Sequence, residues 1–171
     1  MSVERFDPAS YWEGRLDILL QRVMDDGTAL QGLGDAALLR LPTVDFISYD
    51  DERMVRTVDA IREELDCDGL LRRYTVDDGS GVEEGAFVAC SFWLVECLAR
   101  QGRTNEARQA YDRAIATANE LGLMSEEYDP AAKEMLGNFP QTLSHLSHLE
   151  AALALTAAEG QGKPRDTEPA G

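Results

Sequence analysis

Apolar residues recur at helical spacing along most of this chain. In a first segment, about residues 10–25, four of them share one face: Leu16, Leu19, Leu20 and Val23. A second segment, Met54 to Leu65, has the same spacing and a charged opposite face. The pattern predicts a protein built almost entirely from helices, of the all-α class.

A shorter apolar run between these two segments has helix signals at both ends. Asp35 precedes it, and an Asp side chain there accepts hydrogen bonds from the first free N–H groups of a helix. Pro42 follows it and lacks the N–H group that a continuing helix needs. We therefore expect a short helix from Ala36 to Leu41.

Residues 84–98 carry apolar side chains nearly all round the helix axis, which predicts a helix buried on most sides. Gly102 is expected to end it, and Thr104 to cap an amphipathic helix that closes at Gly122. This alternation fits a layered α/α architecture. It also fits a tetratricopeptide hairpin, but such hairpins stack in about three copies of about 34 residues, and the sequence holds no second copy.

The last third of the chain is expected to be irregular before it becomes helical. Leu123 to Phe139 shows no period. Pro140 then opens a final helix, and we expect Leu146, Leu149 and Leu153 to face the core. Residues 158–171 are polar and contain Gly and Pro, which predicts a disordered tail.

Charge and cysteine content narrow the possible functions. The chain has 32 acidic and 16 basic residues, a net charge of −16, which argues against nucleic acid or an anionic membrane as a partner. A neutral sugar meets no such repulsion. Three cysteines and no N-terminal apolar leader favour reduced thiols in the cytoplasm. No cysteine pair has the spacing of metal ligands, so we expect no metal and no cofactor.

Two polar segments, each directly before a predicted helix, form the candidate site. The first runs from Leu71 to Gly85 and begins with LRRY. The second runs from Met124 to Gln141 and contains MSEEYDP and GNFPQ. Loops at the same ends of packed helices are where binding and catalytic residues concentrate.

These segments carry a resemblance to a known family. MSEEYDP resembles the base-carrying segment of glycoside hydrolase family 15, the glucoamylase and trehalase family, and GNFPQTLSHLSHLEAALAL resembles the stretch that follows it in bacterial members. LLRLPTVDFISYDDERMVRTVDAI and the run from DGLLRRY to QAYDRAI are similar to the same branch in order and spacing.

The resemblance spans about residues 35–155 and implies a fold. That fold is about half of an (α/α)6 barrel, the C-terminal part of the family's domain, at residues 35–157. Residues 1–34 would be a divergent or truncated segment with one helix, and residues 158–171 the tail.

The resemblance implies that Glu126 is the general base of an inverting hydrolase of α-glucosidic bonds, of the glucoamylase, α-glucosidase or trehalase type. In that chemistry one carboxylic acid protonates the leaving oxygen, and a carboxylate about 6.5–9.5 Å away activates water on the opposite face. Glu127 replaces the Gln of the fungal motif and receives no catalytic role. Without the surrounding motifs, both would be interpreted as solvated acids.

The resemblance also implies three substrate-binding positions: Arg73, Glu84 and Trp93. It implies three positions that support the site: Tyr74, Tyr128 and His145. Each has a structural alternative. A guanidinium fork suits sugar hydroxyls, but Arg73 also lies near two acids of the following loop, Asp77 and Asp78. Glu84 suits a helix N-terminus, Trp93 suits core packing, and His145 suits a buried hydrogen bond.

The family's general acid lies in a Trp-Glu segment upstream of the matched region. Glu13 follows Trp12, but its neighbours do not match, and it is not assigned this role. Half a barrel would expose Phe87, Phe92 and Trp93 to water. We therefore expect a complementary N-terminal fragment or self-association, and little activity of the chain alone.

Three functions remain open at this point. The first is a hydrolase acting on an α-glucoside or a trehalose-type sugar. The second is a non-catalytic protein that binds a partner through the helical hairpin at residues 85–121. The third is a carbohydrate-binding remnant that retains Arg73.

Overall fold

The computed structural model describes residues 35–74 and 85–161. Within these residues the protein is mostly helical, as the apolar spacing predicted. A 3₁₀ helix, Ala36–Val44, precedes four α-helices: α1 Glu52–Glu64, α2 Val88–Arg100, α3 Thr104–Ile115 and α4 Thr142–Gln161. The helix predicted at residues 10–25 and the loop at residues 77–81 lie outside the described residues.

Short strands, which the all-α prediction missed, connect the helices. β1 (Asp66–Cys67) pairs with β2 (Leu70–Leu71) in an antiparallel hairpin. A second, antiparallel sheet has the order β3 (Ala86–Phe87), β4 (Glu127–Asp129) and β5 (Glu134–Leu136). In its register Glu127 lies between Phe87 and Leu136.

Helix α2 forms the centre of the core, as its all-round apolar pattern predicted. Eleven of its 13 residues are buried, and α3, α4, the 3₁₀ helix and β2 pack around it. Phe92 and Phe87 are 0% and 7% exposed, and Trp93 is half-buried. The expectation of exposure is therefore wrong for Phe87 and Phe92, which this chain itself covers, and holds only in part for Trp93.

Helix α4 faces the core with a different side from the one predicted. Leu146, Leu149 and Leu153 are 55%, 55% and 64% exposed, so the expectation that they face inward is wrong. The buried side consists of four small residues and one large one, namely Ser144, Ser147, Ala151, Ala154 and Leu155. Small side chains let two helix backbones approach closely. We call the exposed row of Leu143, Leu146, Leu149 and Leu153 the leucine stripe.

The helix boundaries match the predictions in part. Asp35 caps the 3₁₀ helix as predicted, since its Oδ1 accepts from the Ala37 N–H at 2.8 Å, but that helix continues through Pro42 to Val44. Gly102, at φ +75°, follows the end of α2. Thr104 is the first residue of α3 and not its cap. Helix α4 extends to Gln161, past the predicted start of the tail.

The cysteines behave as small apolar residues. Cys90 and Cys97 are buried, and Cys67 is half-buried. Burial raises the pKa of the Cys90 thiol and raises that of Cys97 to about 12, so neither ionises at neutral pH. None of the described helices combines the length and the apolar character needed to cross a membrane.

Candidate active site

The segment before Glu126 is fixed against the first turn of α4. The Met124 N–H donates to His145 Nε2 at 3.2 Å, and the Met124 carbonyl accepts from the Gln141 N–H at 2.9 Å. The Ser144 hydroxyl donates to the Ser125 carbonyl at 2.7 Å. Met124 and Ser125 are both buried, so the backbone leading to Glu126 is held on two sides.

Glu126 itself joins α2 to the segment before α4. Its carbonyl accepts from the N–H of Val88, the first residue of α2, at 3.0 Å, and its N–H donates to the Asn138 carbonyl at 2.9 Å. Its side chain is half-buried. Carboxylate Oε2 accepts from the Asn138 N–H at 3.1 Å and from Asn138 Nδ2 at 2.9 Å. Within the described part of the chain, Oε1 has no hydrogen-bond partner.

Gly137 lets the backbone pass directly over this carboxylate. Its φ is +70°, and a Cβ added there would lie 2.9 Å from Glu126 Oε2 and 3.1 Å from Glu126 Cβ. A side chain at this position would therefore displace the carboxylate. From the sequence, Gly137 and Asn138 are predicted only to belong to a polar segment. Their dipeptide, a frequent turn signal, was the one indication of a special backbone there.

Arg73 lies at the same end of α2 as Glu126. Its guanidinium carbon is 5.5 Å from the centre of the Phe87 ring and 5.6 Å from that of Tyr74. Phe87 pairs with Glu127 in the sheet and directly precedes α2. The two predicted segments thus meet at the N-terminus of α2. The acids proposed as alternative partners, Asp77 and Asp78, lie outside the described residues.

Comparison with known proteins decides the family. The family model for glycosyl hydrolases family 15 matches residues 21–153. The chain belongs to glycosyl hydrolase family 15.

Three relatives in this family are named trehalases. The trehalase of Thermoplasma acidophilum is 42% identical over 88% of this chain, that of Mycobacterium tuberculosis 40% over 86%, and trehalase 1 of Sulfolobus acidocaldarius 34% over 74%. The chain spans only 28%, 23% and 22% of the lengths of these three. No solved structure gave a significant match.

Two of the supporting positions in this family 15 chain lie beside the site. His145 reaches the loop of the predicted base through Met124, as described above. Tyr128 follows Glu126 by two residues in β4, where it pairs with Ala86 and Met135. Tyr74 makes a backbone bridge with Asp35, and its ring lies under Arg73. Glu84 lies outside the described residues.

Trp93 takes part in helix packing. Its indole N–H donates to Ser147 Oγ of α4 at 2.8 Å, and the Arg40 guanidinium lies 5.7 Å from the ring centre. These contacts favour the packing alternative. The sugar-stacking role remains a prediction.

The adjacent acid, Glu127, has a separate use. Its Oε2 accepts from the Gly85 N–H at 3.2 Å, which joins the segment before β3 to β4. Gly85 is close enough that an added Cβ would lie 2.6 Å from the Tyr128 carbonyl oxygen. Glu127 therefore supports the sheet, and Glu126 is the acid of this pair that keeps an oxygen without a partner among residues 35–74 and 85–161.

Two open clefts lie elsewhere in the described structure. Their volumes are about 440 and 630 Å³, and both are bordered by Thr104 and Ala158 near the C-terminal end of α2. Neither includes Glu126 or Arg73. These two clefts thus lie at the opposite end of α2 from Glu126 and Arg73.

Proposed function

We propose that this chain is the part of an inverting, trehalase-type glycoside hydrolase that carries the general base, Glu126. One observation carries the proposal: a half-buried carboxylate has one oxygen held by Asn138 and the other without a partner among the described residues. A base needs an oxygen available to a substrate water molecule. The trehalase relatives support the family-level part of the proposal.

The chemistry divides between two carboxyl groups. A general acid protonates the oxygen that joins the two sugars, and Oε1 of Glu126 takes a proton from water as the water oxygen attacks the anomeric carbon. The bond to the leaving sugar breaks on the opposite face, so the configuration inverts. Arg73, at the same end of α2, would donate hydrogen bonds to hydroxyls of the bound glucose unit.

Trehalose is the proposed substrate. The relatives with 34–42% identity are all named trehalases, and a neutral disaccharide meets no repulsion from a chain with net charge −16. Inverting cleavage of its α,α bond releases one β-glucose and one α-glucose, which is a signature that can be measured.

The proposal includes a second component that supplies the general acid. The chain spans about a quarter of the length of its relatives. The leucine stripe exposes four large apolar side chains along one helix, and such patches on proteins usually contact another protein surface. We propose that the remaining part of a family 15 barrel covers this stripe, and that the isolated chain has little activity.

The test is an assay of trehalose and maltose hydrolysis by the chain, with and without a complementary N-terminal fragment of a family 15 trehalase. We expect glucose release from trehalose by the mixture, with α- and β-glucose appearing in equal amounts in proton NMR spectra recorded before mutarotation. Glu126→Gln should lower kcat by about 10²–10⁴-fold, since general-base catalysis contributes that much.

The matched control is Glu127→Gln, which changes the neighbouring acid in the same way. Its effect should be under about tenfold, because Glu127 bonds the Gly85 N–H and not the reacting atoms. Hydrolysis that survives Glu126→Gln at the wild-type rate would remove the proposed mechanism. Equal losses in both variants would show a general effect on folding.

A further inference from the structure

We infer that Asn138 is the positioning residue of the general base, fixing Oε2 of Glu126 so that Oε1 is the oxygen presented to water. The inference rests on the proposed function. The residue pattern alone predicted no role for Asn138.

Asn138 contacts Glu126 through three of its polar groups. Its carbonyl accepts from the Glu126 N–H at 2.9 Å. Its own N–H and its side-chain Nδ2 donate to Oε2 at 3.1 and 2.9 Å. One residue therefore fixes both the backbone and the carboxylate of the base, and both donors converge on the same oxygen.

The neighbouring backbone makes this convergence possible. Gly137, at φ +70°, brings the chain so close to Oε2 that a Cβ there would lie 2.9 Å from this oxygen and would displace it. On the other side, the Gln141 N–H bonds the Met124 carbonyl at 2.9 Å, so residues 138–141 and 124–126 are joined at both ends. Helix α4 begins directly after this segment and anchors it.

Fold stability alone does not explain the arrangement. Asn138 and Gly137 are exposed, and a hydrogen bond at an exposed position contributes little to stability. The consequence of these hydrogen bonds is that they orient the Glu126 carboxylate. A carboxylate with two equivalent oxygens can rotate, whereas one with Oε2 held by two donors presents a single free oxygen in one direction. A misplacement of about 1 Å in a reacting group can lower a rate by about 10²-fold.

Kinetics of Asn138→Ala, in the complemented assay described above, provide the first test. We expect kcat to fall by about 10–100-fold with KM changed less than twofold, because Asn138 uses its donors on Glu126 and none on the sugar. Asn138→Asp should also alter the shape of the kcat–pH profile, since two facing carboxyl groups share a proton. Asn105, exposed on α3, supplies the matched controls Asn105→Ala and Asn105→Asp, which should change neither quantity.

NMR of the ¹⁵N-labelled chain provides a test that needs no activity. The backbone and side-chain amide resonances of Asn138 should shift with pH as the Glu126 carboxyl ionises, and this shift should vanish in Glu126→Gln. Asn105 resonances should not respond.

The outcomes separate the inference from the function on which it rests. Amide shifts at Asn138 that depend on Glu126, with no sugar hydrolysis under any condition, would overturn the proposed function and leave the contact established. Hydrolysis by the wild type with an unchanged kcat in Asn138→Ala would overturn the inference alone. Asn138 amides that ignore the ionisation of Glu126 would also overturn it.

Discussion

Glu96 is a charged side chain in the middle of a buried helix. It is only 6% exposed and has three donors. Arg40 and Arg100 bond its two carboxylate oxygens at 3.2 and 2.9 Å, and the Tyr49 hydroxyl donates at 3.1 Å. Arg40 also bonds Glu150 of α4 at 2.8 Å. Arg40 of the 3₁₀ helix therefore connects the buried charge of Glu96 on α2 to Glu150 on α4.

Replacing Glu96 by Gln should lower the free energy of unfolding by about 1–3 kcal/mol, because hydrogen bonds to a charged group are lost while Arg40 stays partly buried. Urea unfolding followed by circular dichroism would measure this. The control is Glu52→Gln, whose pair with Arg56 is on the surface and should contribute under about 0.5 kcal/mol. Equal effects in both variants would contradict the role assigned to Glu96.

The sequence predicted a candidate base, but it did not indicate the residue that we propose orients it. Glu126 was predicted to be the base through a local resemblance, and its role stays a prediction. Asn138 contacts it from 12 positions away in a segment without periodicity. Which donor reaches which carboxylate oxygen depends on the positive φ of Gly137 and on the docking of α4, and neither is readable from residue types.

At the scale of elements, a cluster of charges joins α1 to α3. Arg103 donates to both carboxylate oxygens of Glu106 at 2.9 and 2.8 Å, and to Asp59 of α1 at 2.7 Å. Arg62 of α1 bonds Glu106 at 2.6 Å. The hydrogen bonds from Arg103, and then those from Arg62, lower the pKa of Glu106 to about 2.

This lowered pKa predicts a pH dependence. A carboxyl group with a lower pKa in the folded state stabilises the protein above its unfolded pKa of about 4.3, and the contribution disappears as pH falls from there to about 2. The free energy of unfolding should therefore fall less between about pH 7 and pH 3 in Glu106→Gln than in the wild type. Asp112→Asn, an exposed acid on the same helix with a 3.7 Å pair, should leave the difference unchanged. A wild-type pH dependence in Glu106→Gln would contradict this prediction.

The sheet beside the site depends on a close approach at Gly85. A Cβ there would lie 2.6 Å from the Tyr128 carbonyl oxygen, so Gly85→Ala should force β3 and β4 apart and lower the free energy of unfolding by about 1–3 kcal/mol. Gly160 in α4 has open space around it. Gly160→Ala should instead stabilise the protein by up to about 1 kcal/mol. Thermal unfolding distinguishes the two variants. A stabilising effect of Gly85→Ala would contradict the observed packing.

Hydrophobic periodicity predicted the helices better than it predicted their orientation. For α2, apolar all round, the prediction of burial needed no choice of face. For α4 the pattern showed an apolar side but not what covers it, and the small residues of the other side pack on α2. Two- and three-residue strands are too short to show a period. Asp68-Gly69, with φ values of +56° and +80°, was a usable signal for the β1–β2 hairpin.

At the scale of the whole molecule, the chain is strongly negative, whereas the leucine stripe on α4 is apolar. The net charge of −16 makes contact between two copies unfavourable in general. The leucine stripe is a local exception, since Glu150, which lies among its leucines, is paired with Arg40. The stripe therefore offers an apolar surface in which the charge of Glu150 is paired, which suits a permanent contact with a second helical layer.

We therefore expect the leucine stripe to contribute to assembly with a second component and not to the folding of this chain. Leu146 and Leu153 are more than half exposed, so replacing both by Gln should change the free energy of unfolding by no more than about 0.5 kcal/mol per site. The same double variant should bind the complementary family 15 fragment at least tenfold more weakly, because apolar contacts are lost only in the complex. Titration calorimetry measures the binding and urea unfolding measures the stability.

The control is Leu121→Gln, at a residue that is 76% exposed but outside the stripe. It should change neither the binding nor the stability. If the double variant unfolded as readily as a core variant, the stripe would be part of the fold of this chain. If it bound as tightly as the wild type, the second component would dock on another surface, and the stripe would have no part in completing the barrel.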